Sequence, residues 1–142
     1  PTRDKSKVAM ARRVNALLEQ IEGAFDGTID AVGIEGLAFG ARGEGAWVLP
    51  WVWGRCIELC ARHDVPLTVV ATSARAKFVT GNGKSDKDTV MLTVARLFPD
   101  AEVANNNEAD ALAVAAAVAQ QLDYPVLPVT QYRSDVVKAL GD

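Results

Sequence analysis

Apolar residues at Val8, Ala11, Val14, Leu17, Leu18, Ile21 and Phe25 recur every three or four positions. That is the period of a helix with one buried face, and it predicts an amphipathic helix over residues 5–24. Asp26-Gly27 breaks the pattern. Residues 31–35 then form a short apolar run, closed by glycine-rich sequence from Gly36 to Gly45, which predicts a buried strand with Glu35 at its carboxyl end. Over residues 46–62, Trp47, Trp51, Trp53, Ile57 and Leu59 fall on more than one helical face, and Pro50 suits a first turn. A helix with neighbours on two sides is expected there. Residues 66–71 are a β-branched run and predict a second buried strand, while the polar, basic, glycine-containing stretch 73–85 reads as a loop. Helical spacing returns over residues 87–97 through Val90, Met91, Val94 and Leu97, and Phe98-Pro99-Asp100 stops it. An alanine-rich helix is expected over residues 107–122, then an irregular crossing with Pro125 and Pro128, then a short helix over residues 134–140.

Helix, strand, helix, strand, helix is the order of a parallel α/β sheet, whose sites lie at the carboxyl ends of its strands. Glu35 falls at such an end. Two strands are few for a stable sheet. The chain also starts at Pro1 and enters a helical pattern almost at once, so earlier strands are expected to be missing from a fragment.

Composition narrows the picture. A chain of 142 residues, 49% hydrophobic and 23% charged, can bury one core, and a single globular domain over residues 1–142 is expected. Charged residues interrupt every apolar run well short of the roughly 20 residues of a membrane span, so no membrane association is expected. Cys56 and Cys60 stand one helical turn apart, which suits side-by-side packing better than a disulfide and points to a reducing, cytoplasmic setting. They lack further Cys or His at zinc spacing. Fifteen Lys and Arg against eighteen Asp and Glu give a net charge of −3, which excludes a strongly basic wrapper of nucleic acid. Local crowding at Arg3, Lys5, Lys7, Arg12 and Arg13, and again at Arg75, Lys77, Lys84 and Lys87, could still meet a polyanion.

Glu35 and Asp110 are the candidate catalytic pair. A carboxylate at a strand's end and another at the start of a later helix can converge on a divalent cation, and two such ions roughly 4 Å apart activate a water and stabilise a leaving oxygen. Hard oxygen ligands favour Mg²⁺ or Mn²⁺. Spacing alone points first to a structural role, since Asn107 and Asp110 have the spacing of a capping box and acids complement a helix start. Gly81-Asn82-Gly83-Lys84-Ser85 invites a phosphate-loop reading, but the nucleotide motif needs a glycine where Phe78 stands. The tryptophans read as core and interface residues. His63, at a helix end where a cation is favoured, has no assigned catalytic role.

Three motifs in order carry a resemblance. Val32-Gly33-Ile34-Glu35-Gly36 ends the strand after the first long helix in an acid, Gly81-Asn82-Gly83-Lys84-Ser85-Asp86-Lys87-Asp88 precedes a helix, and Glu108-Ala109-Asp110-Ala111-Leu112 opens the last long helix. The chain resembles the RuvC-type Holliday junction resolvases, especially the diverged group carried by bacteriophages, from Lys7 to about Leu140. The resemblance implies an RNase H-like α/β sheet flanked by helices, here without its first antiparallel strands. It implies a homodimer that cuts branched DNA by two-metal phosphodiester hydrolysis, with the helix containing Trp51 as candidate interface.

By resemblance, Glu35, Asp110, and Asn107 or Glu108 would be metal ligands. Lys87 and Lys77 would contact DNA phosphate or the transition state, Arg75 and Lys84 would be further backbone contacts, and Phe39 would stack on or wedge into a junction base. The family commonly has an acid where Asn107 stands, with Glu108 beside it as a substitute. Nothing before Asp4 resembles its first-strand aspartate, so residues 1–142 alone are expected to be inactive. The alternatives are a module that binds branched DNA without cutting it, or an RNase H-like nuclease acting on RNA ends or replication intermediates.

Overall fold

The computed structural model describes residues 3–38 and 40–141. They fall into two compact units, one drawn from within residues 1–30 and 38–66 and the other from within residues 31–37 and 67–142. The first contains α1 (Lys7–Glu22) and α2 (Val48–Arg62). Ser6 caps α1 by accepting a hydrogen bond from the Ala9 amide at 3.2 Å, relieving one of the orphan donors of a first turn. Most of the periodic face read from the sequence is packed, while Val8 and Leu17 are exposed. Val14 and Leu18 of α1 meet Leu59 of α2, with Met10, Ile21, Phe25, Trp51, Val52 and Cys56 around them.

The second unit holds β1 (Val32–Glu35), β2 (Leu67–Val70), α3 (Thr72–Thr80), α4 (Lys87–Leu97), α5 (Asn106–Gln121) and α6 (Gln131–Ala139). The strands are parallel, with Val32 opposite Leu67 and Glu35 opposite Val70. Among the described residues the sheet has these two strands. Helix α5 packs on β1 and also meets α3, α4 and α6. Its alanines make that possible: Ala109, Ala113, Ala116 and Ala117 are buried against Phe78, Val79, Val90, Val94 and Val136, and a small side chain lets a neighbouring backbone come close.

Gly33 shows how close. A Cβ built on it would lie 2.6 Å from Val114 Cγ1 and 2.8 Å from Val118 Cγ2, so α5 rests on β1 where a side chain is missing.

One expectation is corrected. Residues 73–85 are not a loop throughout, because Thr72–Thr80 is helical and the turn begins only at Gly81, in the left-handed conformation at φ 84°. The helix was hidden because Arg75, Ala76, Phe78 and Val79 are all buried. A helix whose buried residues are spread round it, a buried arginine among them, presents no single apolar stripe and hence no readable period. It also lacks a side-chain cap, since its N-cap is Ala71. The last helix begins three residues earlier than expected, at Gln131, where the Thr130 hydroxyl accepts from the Arg133 amide. No helix among the described residues is long and apolar enough to cross a membrane.

Candidate metal and nucleic-acid site

The parallel register sets Glu35 beside Val70, so the chain leaving β2 enters α3 directly alongside the Glu35 carboxylate. Two α3 side chains take hold of it: the Thr72 hydroxyl donates to Oε1 at 2.9 Å, and the Arg75 guanidinium donates to Oε2 at 2.5 Å. The same Arg75 nitrogen lies 3.3 Å from Asp110 Oδ2. Helix α5, seated on β1 at Gly33, therefore brings Asp110 and Glu35 to one arginine. The two carboxylates and Asn107 line a cleft of about 240 Å³ with Gly33, Ile34, Ala111 and Val114.

The start of α5 explains why Asp110 is available. Capping falls two residues earlier than the sequence suggested: the Asn105 side chain accepts from the Glu108 amide at 2.9 Å, and Glu108 Oε2 accepts from the Ala104 amide at 2.8 Å. Asn107 and Asp110 thus have no capping duty. Spaced by three, they share a helix face and reach the same cleft. Glu108 is turned to the helix end and does not line that cleft. Among the described residues no three of His, Cys, Asp and Glu come together as a metal-holding group.

Burial pushes the Asp110 carboxyl above its ordinary value of 3.8; Arg75 opposes this, Glu35 adds to it, and Lys87 opposes it. A half-buried acid is thus penalised for its charge despite a guanidinium at 3.3 Å, because desolvation and a like charge outweigh the ion pair.

The expected cationic residues separate into three settings. Lys87, the first residue of α4, is exposed and near enough for its charge to act on Asp110. Lys84 is exposed in the turn, which is closed by Asn82 Oδ1 accepting from the Lys84 amide at 2.9 Å. Lys77 is half-buried on α3 and lines a different cleft, with Ser73, Gly83 and Asp135. Arg75 departs from the expected surface contact: its side chain is only 7% exposed and is engaged by two carboxylates. Phe39 lies outside the described residues. Sequence reasoning missed Thr72 and the inward role of Arg75. The available signal was the strand pairing itself, since a residue one turn into a helix that follows the strand beside Glu35 must lie near Glu35.

Cys56 and Cys60 are free thiols, both pushed up by burial. His63, the C-cap of α2, pairs through Nε2 with Glu22 at 2.8 Å and stacks on Phe25, a contact within the helical pair.

A family model described as crossover junction endodeoxyribonuclease RuvC matches residues 2–118. The RuvC of Anaeromyxobacter dehalogenans is 33% identical over 107 residues, which are 75% of this chain and 57% of that relative. The Rickettsia akari protein is 31% identical over 68 residues, 47% of this chain and 43% of that one. The chain therefore spans about half the length of the curated relatives it matches. Among solved structures, Thermus thermophilus RuvC superimposes with a TM-score of 0.62 at 22% identity, covering 87% of this chain and 75% of that one. The same protein in complex with a Holliday junction substrate gives 0.65 at 19%, covering 80% and 71%. These likenesses establish the RNase H-like α/β fold expected from the sequence.

Proposed function

From the premise that this chain belongs to the RuvC family of crossover junction endodeoxyribonucleases, we propose that it provides the cutting site of a divalent-metal-dependent endonuclease acting on four-way DNA junctions. The observation that carries the reading is the convergence of Glu35 and Asp110 in one cleft, from a strand end and a helix far apart in sequence. The donor set suits a hard cation, because carboxylate and amide oxygens from Glu35, Asp110 and Asn107 are what Mg²⁺ or Mn²⁺ prefers. Glu35 and Asp110 lie against the same guanidinium, so the cleft gathers negative charge that a cation would relieve. When bound, such an ion supplies Lewis-acid polarisation of the phosphodiester and a more acidic water. These residues suffice for one cation, with water and substrate oxygens completing its shell.

The remaining roles belong to the protein's own side chains. Thr72 and Arg75 fix the orientation of Glu35. Lys87, exposed beside Asp110, draws a backbone phosphate towards the cleft, and Lys84 extends that attraction along the turn. A net charge of −3 makes this a local field rather than a global one. Lys77 would meet backbone at the neighbouring cleft. A homodimer would place two such clefts on opposing strands. Helix α2 is the candidate contact with a second copy, since Leu49 is 74% and Trp47 40% exposed at its start.

The test uses the protein as its gene encodes it, with a labelled four-way junction and Mg²⁺ or Mn²⁺. Asp110→Asn should lower nicking on the order of a thousandfold, about 4 kcal/mol of barrier, while junction binding persists, because phosphate contacts are untouched. Lys87→Ala should reduce the slope of log affinity against log salt by about 1. Nicking at the parental rate in Asp110→Asn would overturn the assignment. Tight binding without cutting by the parent protein would favour a junction-binding module, a reading that the capping role of Glu108 supports.

A further inference from the structure

Resting on the reading of Glu35 and Asp110 as cation ligands, we propose that Arg75 is a built-in counter-charge. It holds the two carboxylates together before a divalent ion arrives, and it lowers the affinity of the site for that ion.

The geometry is that of a shared cation. One guanidinium nitrogen serves Glu35 at 2.5 Å and Asp110 at 3.3 Å, so the carboxylates are joined through Arg75. A guanidinium does not lose its proton in a protein, and its charge is permanent. It is also fixed in place. The Arg75 amide donates to Ala71 at 2.9 Å in the opening turn of α3, and its neighbours Ala76, Phe78 and Val79 are buried in the core. Lys87, by contrast, is exposed and free to move towards solvent.

Arg75 Nε is buried with no hydrogen-bond partner among the described residues. An orphaned buried donor is costly, so the hydrogen bond from the other end of the guanidinium to Glu35 leaves part of the side chain's cost of burial unmet. The arginine is kept there by the negative charge it faces. Thr72, on the same helix, holds the other oxygen of Glu35, and α3 thereby sets that carboxylate's orientation from one rigid element.

Two opposed consequences follow. Without a divalent ion, removing the arginine leaves two partly buried carboxylates with their repulsion uncompensated. With one, the arginine is a fixed like charge a few ångströms from a dication and weakens its binding. Arg75 therefore stabilises the empty site and loosens the occupied one. A residue kept only for packing would do the first and not the second.

The experiment measures Mn²⁺ binding without DNA, from the electron paramagnetic resonance signal of the free ion, together with thermal unfolding in EDTA and in Mn²⁺. It uses the natural full-length protein. Arg75→Gln should bind Mn²⁺ about tenfold more tightly, unfold at a lower temperature in EDTA, and gain more from Mn²⁺ than the parent does. Arg75→Lys, which keeps the charge, should bind Mn²⁺ as the parent does. Arg75→Gln combined with Asp110→Asn should recover much of the thermal stability lost by Arg75→Gln alone, because the repulsion has been removed. If Arg75→Gln proves unfolded, that double variant should still fold. A double variant no more stable than Arg75→Gln, or Mn²⁺ affinity unchanged or weaker in Arg75→Gln while Asp110→Asn abolishes binding, would overturn the counter-charge and leave the ligand reading standing. Binding that survives Asp110→Asn in the parent background removes the ligand reading itself, and the proposal with it.

Discussion

Glu22 and Asp110 are both helix-borne carboxylates with cationic partners, and their environments act on them in opposite directions. Glu22, in the α1–α2 pair, accepts from His63 at 2.8 Å and lies 3.5 Å from Arg62. The His63 hydrogen bond holds its carboxyl below the ordinary value. Asp110 has Arg75 at 3.3 Å, yet burial holds its carboxyl above the ordinary value. Having a cation nearby does not decide the outcome. Asp110 sits in a cleft with a second carboxylate, and desolvation with like-charge repulsion wins. Glu22 is a surface pair of small energetic weight. A charge maintained against its own stability is the one that points to chemistry.

The largest way to break this contrast is to move α5. Gly33→Ala would place a methyl within 2.8 Å of the branched side chains of Val114 and Val118, and overpacking of that kind costs about 2 kcal/mol. Urea unfolding should show the loss, with partial recovery on adding Val114→Ala. Full stability in Gly33→Ala would mean that α5 does not rest on β1 as described.

A smaller effect sharpens the contrast. Because the folded state disfavours ionised Asp110, Asp110→Asn should raise the melting temperature at neutral pH by about 3 °C. The sign follows from linkage. The folded carboxyl titrates above 3.8, so the penalty is full above its raised value and absent below 3.8. The advantage of Asp110→Asn should shrink as pH falls through that window. A constant difference across pH 3 to 7 would refute the burial argument. Smallest of all is Glu22→Gln. The lowered carboxyl contributes stability above its ordinary 4.5 that is lost as pH falls through the folded value. At an exposed site this should move the melting temperature by no more than about 1 °C, and less in high salt. Differential scanning calorimetry at two ionic strengths reads it.

Much of the architecture was legible because it rests on period. The amphipathic face of α1, the β-branched run at β2 and the alanine face of α5 each appear as spacing along the chain, and the register of one strand pair then put Glu35 at a strand end. Helix α3 escaped because its neighbours bury it on several sides, leaving Arg75 and Lys77 to look like loop residues. Glu35 and Asp110, paired from the sequence as candidates, line one cleft, while the capping residues stand two positions earlier than the sequence suggested. Nothing in a linear pattern distinguishes an arginine that faces solvent from one held between two acids; burial decides that, and burial is a property of the packed chain.

The cap of α5 has an evolutionary consequence. Asn105 and Glu108 hold the helix start in place between them, and that start fixes which way every later residue points, at about 100° per position. Position 107 is thereby excused from any duty to the backbone. It can drift among polar residues without unwinding the helix or turning Asp110 from its cleft, whereas a single insertion between 105 and 110 would swing the aspartate out of reach. Selection can therefore retune the chemistry at 107 one substitution at a time, while the spacing from 105 to 110 stays frozen.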